Sequence, residues 1–161
     1  MERMPNASRL PAAPAKDPVA VVRASADSLA RVALECCRQH DRASRHPVPD
    51  EPDLEQKHHD ALCATCDGSL AELTTAYERA AADVRMTSDE PWWHRANNLW
   101  HASREYARRH AGCDAMSKGV SGKHSAEKLA GMQMEYELEA SALLALRHAA
   151  DAYLKTRPGL S

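Results

Sequence analysis

Leu138–Leu154, LEASALLALRHAADAYL, is the longest run of strong helix formers and apolar residues in the chain, and it contains neither Gly nor Pro. Its apolar positions do not keep to one stripe. Leu138, Ala142, Leu146 and Tyr153 fall on one side of a helix, and Ala140, Leu143, Ala150 and Leu154 on another. A helix apolar over most of its circumference is packed from several sides. The stretch therefore reads as the central helix of an all-helical domain, and the rest of the chain as what surrounds it.

The 161 residues fit one domain, long enough to bury a core without disulfide or metal staples. The formal net charge is −2, with both signs mixed along the chain, so neither a nucleic-acid groove nor a patch for an anionic membrane is expected. No run approaches the roughly 18 apolar residues of a membrane span. There is no Phe, so Leu, Ala and Val must fill the core with three Trp and four Tyr. Ala-rich helices bury little area each, which points to modest stability or to an oligomer. The five cysteines are an odd number, and the opening MERMPNASRLPAAPAK has no apolar h-region. Its Arg, Ser and Ala give it only a faint likeness to a transit peptide, and Glu2 and the prolines argue against one. A cytoplasmic protein with reduced thiols is the expectation.

Residues 1–17 are Pro- and Ala-rich and read as a disordered tail before a domain over 18–157. Asp17-Pro18 opens the first helix, Asp as the cap and Pro at the first helical position. This helix covers about 18–44, with Val22, Ala26, Leu29, Ala33, Cys36 and His40 on one face. RHPVPDEP (45–52) is a loop. Asp53 and Gln56 form a capping box for a second helix over about 53–85, with Leu62, Cys66, Leu70, Leu73, Tyr77, Ala80 and Val84 inward. Asp67-Gly68-Ser69 is a candidate kink or break. Thr87 and Glu90 cap a third helix over about 89–113, with Trp92, Ala96, Leu99, Ser103, Tyr106 and His110 buried. Gly112 and 118–122 end it. Ser125 caps a fourth over about 123–156, stopped by Arg157-Pro158-Gly159. Short connections favour an antiparallel up-down four-helix bundle built from helical hairpins.

The spacing offers one ligand cluster. Folding the first hairpin about residue 48 and the second about residue 87 gathers Cys36, Cys37, Cys63, Cys66 and Cys113 at one end. His40, His58, His59, His110 and His124 join them. His59, Cys63 and Cys66 fall within about 60° of the second helix, and Cys36 and His40 face them from the first. Zinc takes four thiolate or imidazole ligands in a tetrahedron. Cys36, His40, His59 and Cys63 or Cys66 would supply them, with His110 and Cys113 as further candidates. The plainer alternative is that these cysteines pack as small hydrophobes and the histidines sit at the core edge. A redox CxxC normally opens a helix after a strand, and no strand is expected here.

Four other arrangements carry less. Glu90, His94, His101 and Glu105 share an arc of the third helix opposite its apolar face, where a charged stripe in solvent is ordinary. A di-iron bundle needs two Glu-x-x-His motifs, and only Glu55–His58 fits. Arg147, His148 and Asp151 interrupt the fourth helix; Arg147 and Asp151 are spaced to pair, and the group would fix register, line a small pocket or meet a second subunit, the plainer reading being a polar edge between two apolar faces. Trp93 and Trp100 are candidate anchors for a partner, although core filling in a chain without Phe is the plainer explanation of the tryptophans. Phosphate-loop, dinucleotide, GxSxG and HExxH signatures are absent. Two functional readings result. The first is a non-enzymatic interaction or assembly module, self-associating or bound to a protein partner. The second is a zinc-type metal-binding bundle with a structural or sensing role.

Overall fold

Asp17 opens the first helix with its carboxylate on the Val19 amide at 3.1 Å and its carbonyl on the Val21 amide. In the computed structural model that helix, α1, spans Pro18–Arg45; α2 spans Pro52–Ala82, α3 Pro91–Lys118 and α4 Ala126–Lys155. The structure describes residues 17–45, 52–82, 84, 90–118, 126–157 and 159, without the side chains of 42–45, 52–64, 114 and 116–118. Residues 1–16 and the caps read at Thr87 and Ser125 lie outside that description, as does the side chain of Asp53, which is already inside α2 rather than ahead of it. The described residues form four helices and no strand. None of these helices is long and apolar enough to cross a membrane.

The fold is a four-helix bundle in which α1 packs between α2 and α4, and α3 packs between the same two. α1 also meets α3 across the diagonal, whereas α2 and α4 do not meet among the described residues. Partners run in opposite directions along neighbours. Tyr77 of α2 pairs with Asn97 of α3, and Asp67 with Tyr106. Tyr153 of α4 pairs with Asp27 of α1, and Arg147 with Asp41.

Spacings of three and four select the buried faces. Val22, Ala26, Leu29, Ala33 and Cys36 are fully buried on α1, joined by Ala30. Trp92, Ala96, Leu99, Ser103 and Tyr106 fill the centre from α3. Leu70 and Tyr77 do so from α2, with Cys66, Leu73, Ala80 and Val84 packed against them. Tyr77, Tyr106 and Tyr153 are the largest fully buried side chains, taking the volume that Phe would occupy elsewhere.

Four expectations are corrected. α2 continues through Gly68, which is exposed, so one glycine's entropy cost is absorbed within a long, well-packed helix. α3 passes Gly112 and runs to Lys118, because α4 packs alongside it there. Arg147 does not pair with Asp151; it reaches across to Asp41 and the Cys37 carbonyl of α1. Finally, α4 is not enclosed. Ala142, Leu146, Ala150, Tyr153 and Leu154 are buried, but Ala140 is exposed, because only α1 and α3 flank this helix. α4 ends as the sequence indicates: the Thr156 and Arg157 amides turn back onto the Tyr153 and Leu154 carbonyls, and Gly159 takes φ 101°.

Candidate functional site

Near the mid-length of α2, α3 and α4, the bundle holds a polar cluster to which every helix contributes. His40 of α1 precedes the end of its helix by barely a turn, one turn after fully buried Cys36. On α3, Tyr106 and His110 are one turn apart and their rings stack at 5.8 Å. The Tyr106 hydroxyl donates to Asp67 Oδ1 of α2 at 3.1 Å and lies 2.8 Å from His40 Nε2. Its single proton is committed to Asp67, so it accepts from His40. His110 Nε2 stands 3.0 Å from Asp67 Oδ2, and its Nδ1 stands 3.6 Å from Glu139 Oε2 of α4. Asp67 Oδ2 and His110 Nδ1 are buried without a hydrogen-bond partner, so charge rather than aligned hydrogen bonding holds them.

The electrostatics follow from that geometry. Burial alone would raise the Asp67 carboxyl, but the contacts and charge of His110 and His40 outweigh it and hold it far below the ordinary carboxylate range. The same contacts, from Asp67 and then Glu139, lift His110 to about 10 against the burial that would lower it. Glu139 ends below its ordinary value, since His110 and Cys113 outweigh its burial. Tyr106 is pushed up by burial and by Asp67. An imidazolium between two carboxylates is thus the resting state near neutral pH.

The thiols border this cluster. Cys36 meets Cys66 across the α1–α2 interface, and burial, then Cys66 and Asp67, push its thiol up. Cys37 turns the other way, donating to the Leu143 carbonyl of α4 at 3.8 Å. Cys113 donates to the Glu135 carbonyl at 3.4 Å, and burial with Glu139 raises it to about 12. None of the described thiols is in a disulfide.

Of the expected ligands, Cys36, His40, Cys66 and His110 do converge, while Cys113 sits to one side against α4. The side chains of His58, His59 and Cys63, and the whole of His124, lie outside the described residues. Among the described residues, no group of three or more His, Cys, Asp or Glu side chains stands where one ion could be held. The register also differs from a hairpin folded about residue 48. That folding sets Cys36 level with residues near 60, yet its neighbour is Cys66, more than a turn further along. Packing of the Ala face, not the loop midpoint, sets that level. Sequence reasoning misses Asp67, which reads as part of a helix break, and Glu139, which lacks a His three residues on. What marks them is their cross-helix relation to His40 and His110, which the sequence alone does not display.

The interaction candidates separate. Trp93 and Trp100 are half-buried against the core. Trp100 carries Arg104 over its ring at 4.8 Å, and its buried Nε1 has no hydrogen-bond partner. Arg147 is bound to Asp41, whereas His148 and Asp151 are exposed. Apart from Val21 of α1, the large exposed apolar side chains of the described residues lie on α4: Leu129, Met134, Tyr136 and Leu144. Sequence reading does not single them out. At about 100° per residue, Leu129, Tyr136, Ala140 and Leu144 share about 80° of arc on the outward side. No family model, no curated protein and no solved structure matches the chain.

Proposed function

We propose that this chain is a non-enzymatic helical-bundle module that self-associates through the outward face of α4. The observation that carries the reading is the stripe Leu129–Tyr136–Ala140–Leu144, whose large members are 51%, 42% and 52% exposed. A contiguous apolar stripe in solvent marks an interaction surface. A second copy is the occupant because the C-terminal part of the stripe, Ala140–Leu144, complements itself. Laid antiparallel about residue 142, two α4 helices set Leu144 against the small Ala140 and Ser141, and exposed Glu137 against exposed His148. That is the isologous contact of a two-fold dimer. Thiols outside any disulfide support a reducing, cytoplasmic setting. The test is Leu144→Glu: it should lower the mass in solution to that of the monomer while leaving helix content unchanged, whereas an unaltered oligomer would remove α4 from the interface.

A second reading is a zinc-type clip with a structural or sensing role; Cys36, His40 and Cys66 do not by themselves stand where one ion could be held, so it depends on residues of α2 whose side chains lie outside the described ones. Zinc needs a fourth ligand, which His59 or Cys63 would have to supply. Loss of helix content or melting temperature on chelation supports it, and indifference to chelator removes it.

A further inference from the structure

We propose that the first half of α4, Ala126–Leu138, is an arm that opens independently of the bundle and is closed by a second copy of this chain; its closure rests on the self-association reading above. None of residues 126–141 is buried, whereas Ala142, Leu146, Ala150, Tyr153 and Leu154 are. The levels of the neighbouring helices explain the contrast. Asp27 stands level with Tyr153, and Cys37 with Leu143. Arg45, where α1 ends, therefore falls level with about Glu135 of α4. Cys113 stands level with Glu135, and His110 with Glu139. Lys118, where α3 ends, therefore falls level with about Ala130. The arm runs past the end of α1 and then past that of α3, and α2 does not meet α4 among the described residues.

Little holds the arm in place. The Cys113 thiol donates to the Glu135 carbonyl at 3.4 Å, and Gln133 donates to Glu137 one turn on. Glu139, 3.6 Å from His110, marks where the anchored part begins. Gly131 is exposed within the arm, and a Cβ built there meets nothing within 4 Å, so nothing offsets the helix propensity that Gly forfeits. A helix of about three turns without tertiary burial is marginal in water, which puts the arm at the low end of local opening free energies. Its Leu129, Met134 and Tyr136 side chains stay exposed even when it is helical. Two copies laid antiparallel about residue 142 set the arm of one along the well-packed second half of α4 in the other. Each copy then supplies the flank that the other's arm lacks. Leu129 and Tyr136 share their arc with Ala140 and Leu144, so the contact between copies continues onto the arm. Chains whose arm is open must close it on association, and the apparent affinity is reduced by the fraction already closed.

Amide hydrogen exchange of the full chain, read by mass spectrometry under reducing conditions with chelator, tests this at concentrations below and above those at which its mass doubles. In the monomer, amides of 126–138 should exchange at least about tenfold faster than those of 142–154. In the dimer they should slow, while 142–154 change little. Leu144→Glu should keep the arm open at both concentrations. Gly131→Ala should slow exchange in the arm and tighten self-association by up to about fivefold per copy. An arm as protected in the monomer as 142–154, an arm left open in the dimer, or a Gly131→Ala chain that associates no more tightly would each overturn the proposal. The last two leave self-association standing. A chain that stays monomeric in sedimentation removes the second copy as what closes the arm, and the self-association reading with it, so mass and exchange together tell the two failures apart. The unaltered chain decides the matter even where a variant folds poorly.

Discussion

Asp67 is the residue on which the polar cluster of the bundle turns. It accepts from Tyr106, faces His110 and lies beside His40, so one carboxylate of α2 gathers side chains from α1 and α3. The pH consequence has a definite sign. His110 is raised above its ordinary 6.5 to about 10, so its contribution is complete below 6.5 and fades as pH climbs to about 10. Asp67 is depressed, so its contribution is complete above the ordinary carboxylate range and is lost on acidification. Stability from this cluster should therefore peak between weakly acidic and neutral pH and fall on the alkaline side. Asp67→Asn should lower stability by about 1–3 kcal/mol, shift the His110 titration down from about 10 in NMR, and flatten the alkaline decline. An unmoved His110 titration would show that Asp67 is not its partner. The His positions of this cluster are visible in the sequence, because i, i+4 spacing on a core face survives folding. Its carboxylates are not, since a charged residue beside Gly68, or in the acidic half of α4, reads as solvent-exposed until another helix is laid over it.

At the scale of elements, the inward stripes of α1 and α3 are legible almost residue by residue, because each helix buries one narrow face. α2 and α4 are less so, for opposite reasons. In α2, a local cue at Asp67-Gly68-Ser69 suggests a break, but burial of Leu70, Thr74 and Tyr77 carries the helix through it. Gly68 is exposed, and a Cβ built there meets nothing within 4 Å. Gly68→Ala should therefore stabilise the protein by about 0.5–1 kcal/mol in urea denaturation; destabilisation would mean that the site is less open than it is here. In α4, broad apolarity implies enclosure, yet only two helices flank it. The apolar excess that the bundle does not bury is the feature that sequence periodicity can detect but not place.

The whole molecule has two polar clusters of different character. Near mid-length, the His40–Asp67–Tyr106–His110–Glu139 cluster joins all four helices. Where α1 and α3 begin and α4 ends, Asp27 accepts from Tyr153 and pairs with Arg157 through both oxygens at 3.0 Å, while Arg23 stacks over Trp92 at 4.6 Å. Between these polar clamps the Ala- and Tyr-rich core fixes register, and the outward side of α4 remains apolar. Leu144→Glu changes a side chain that is 52% exposed, so its cost to the folded monomer should stay within about 0.5 kcal/mol; any larger loss of stability would come from lost association. Folding and self-association are then separable, and a comparison of Leu144→Glu with the unaltered chain by urea denaturation at low and high concentration should reveal it.

The most direct measurement is sedimentation equilibrium of the unaltered full chain across a range of concentrations, under reducing conditions with chelator present. Self-association through α4 predicts a reversible rise from the monomer mass to twice that mass as concentration increases. A monomer at every concentration would contradict it.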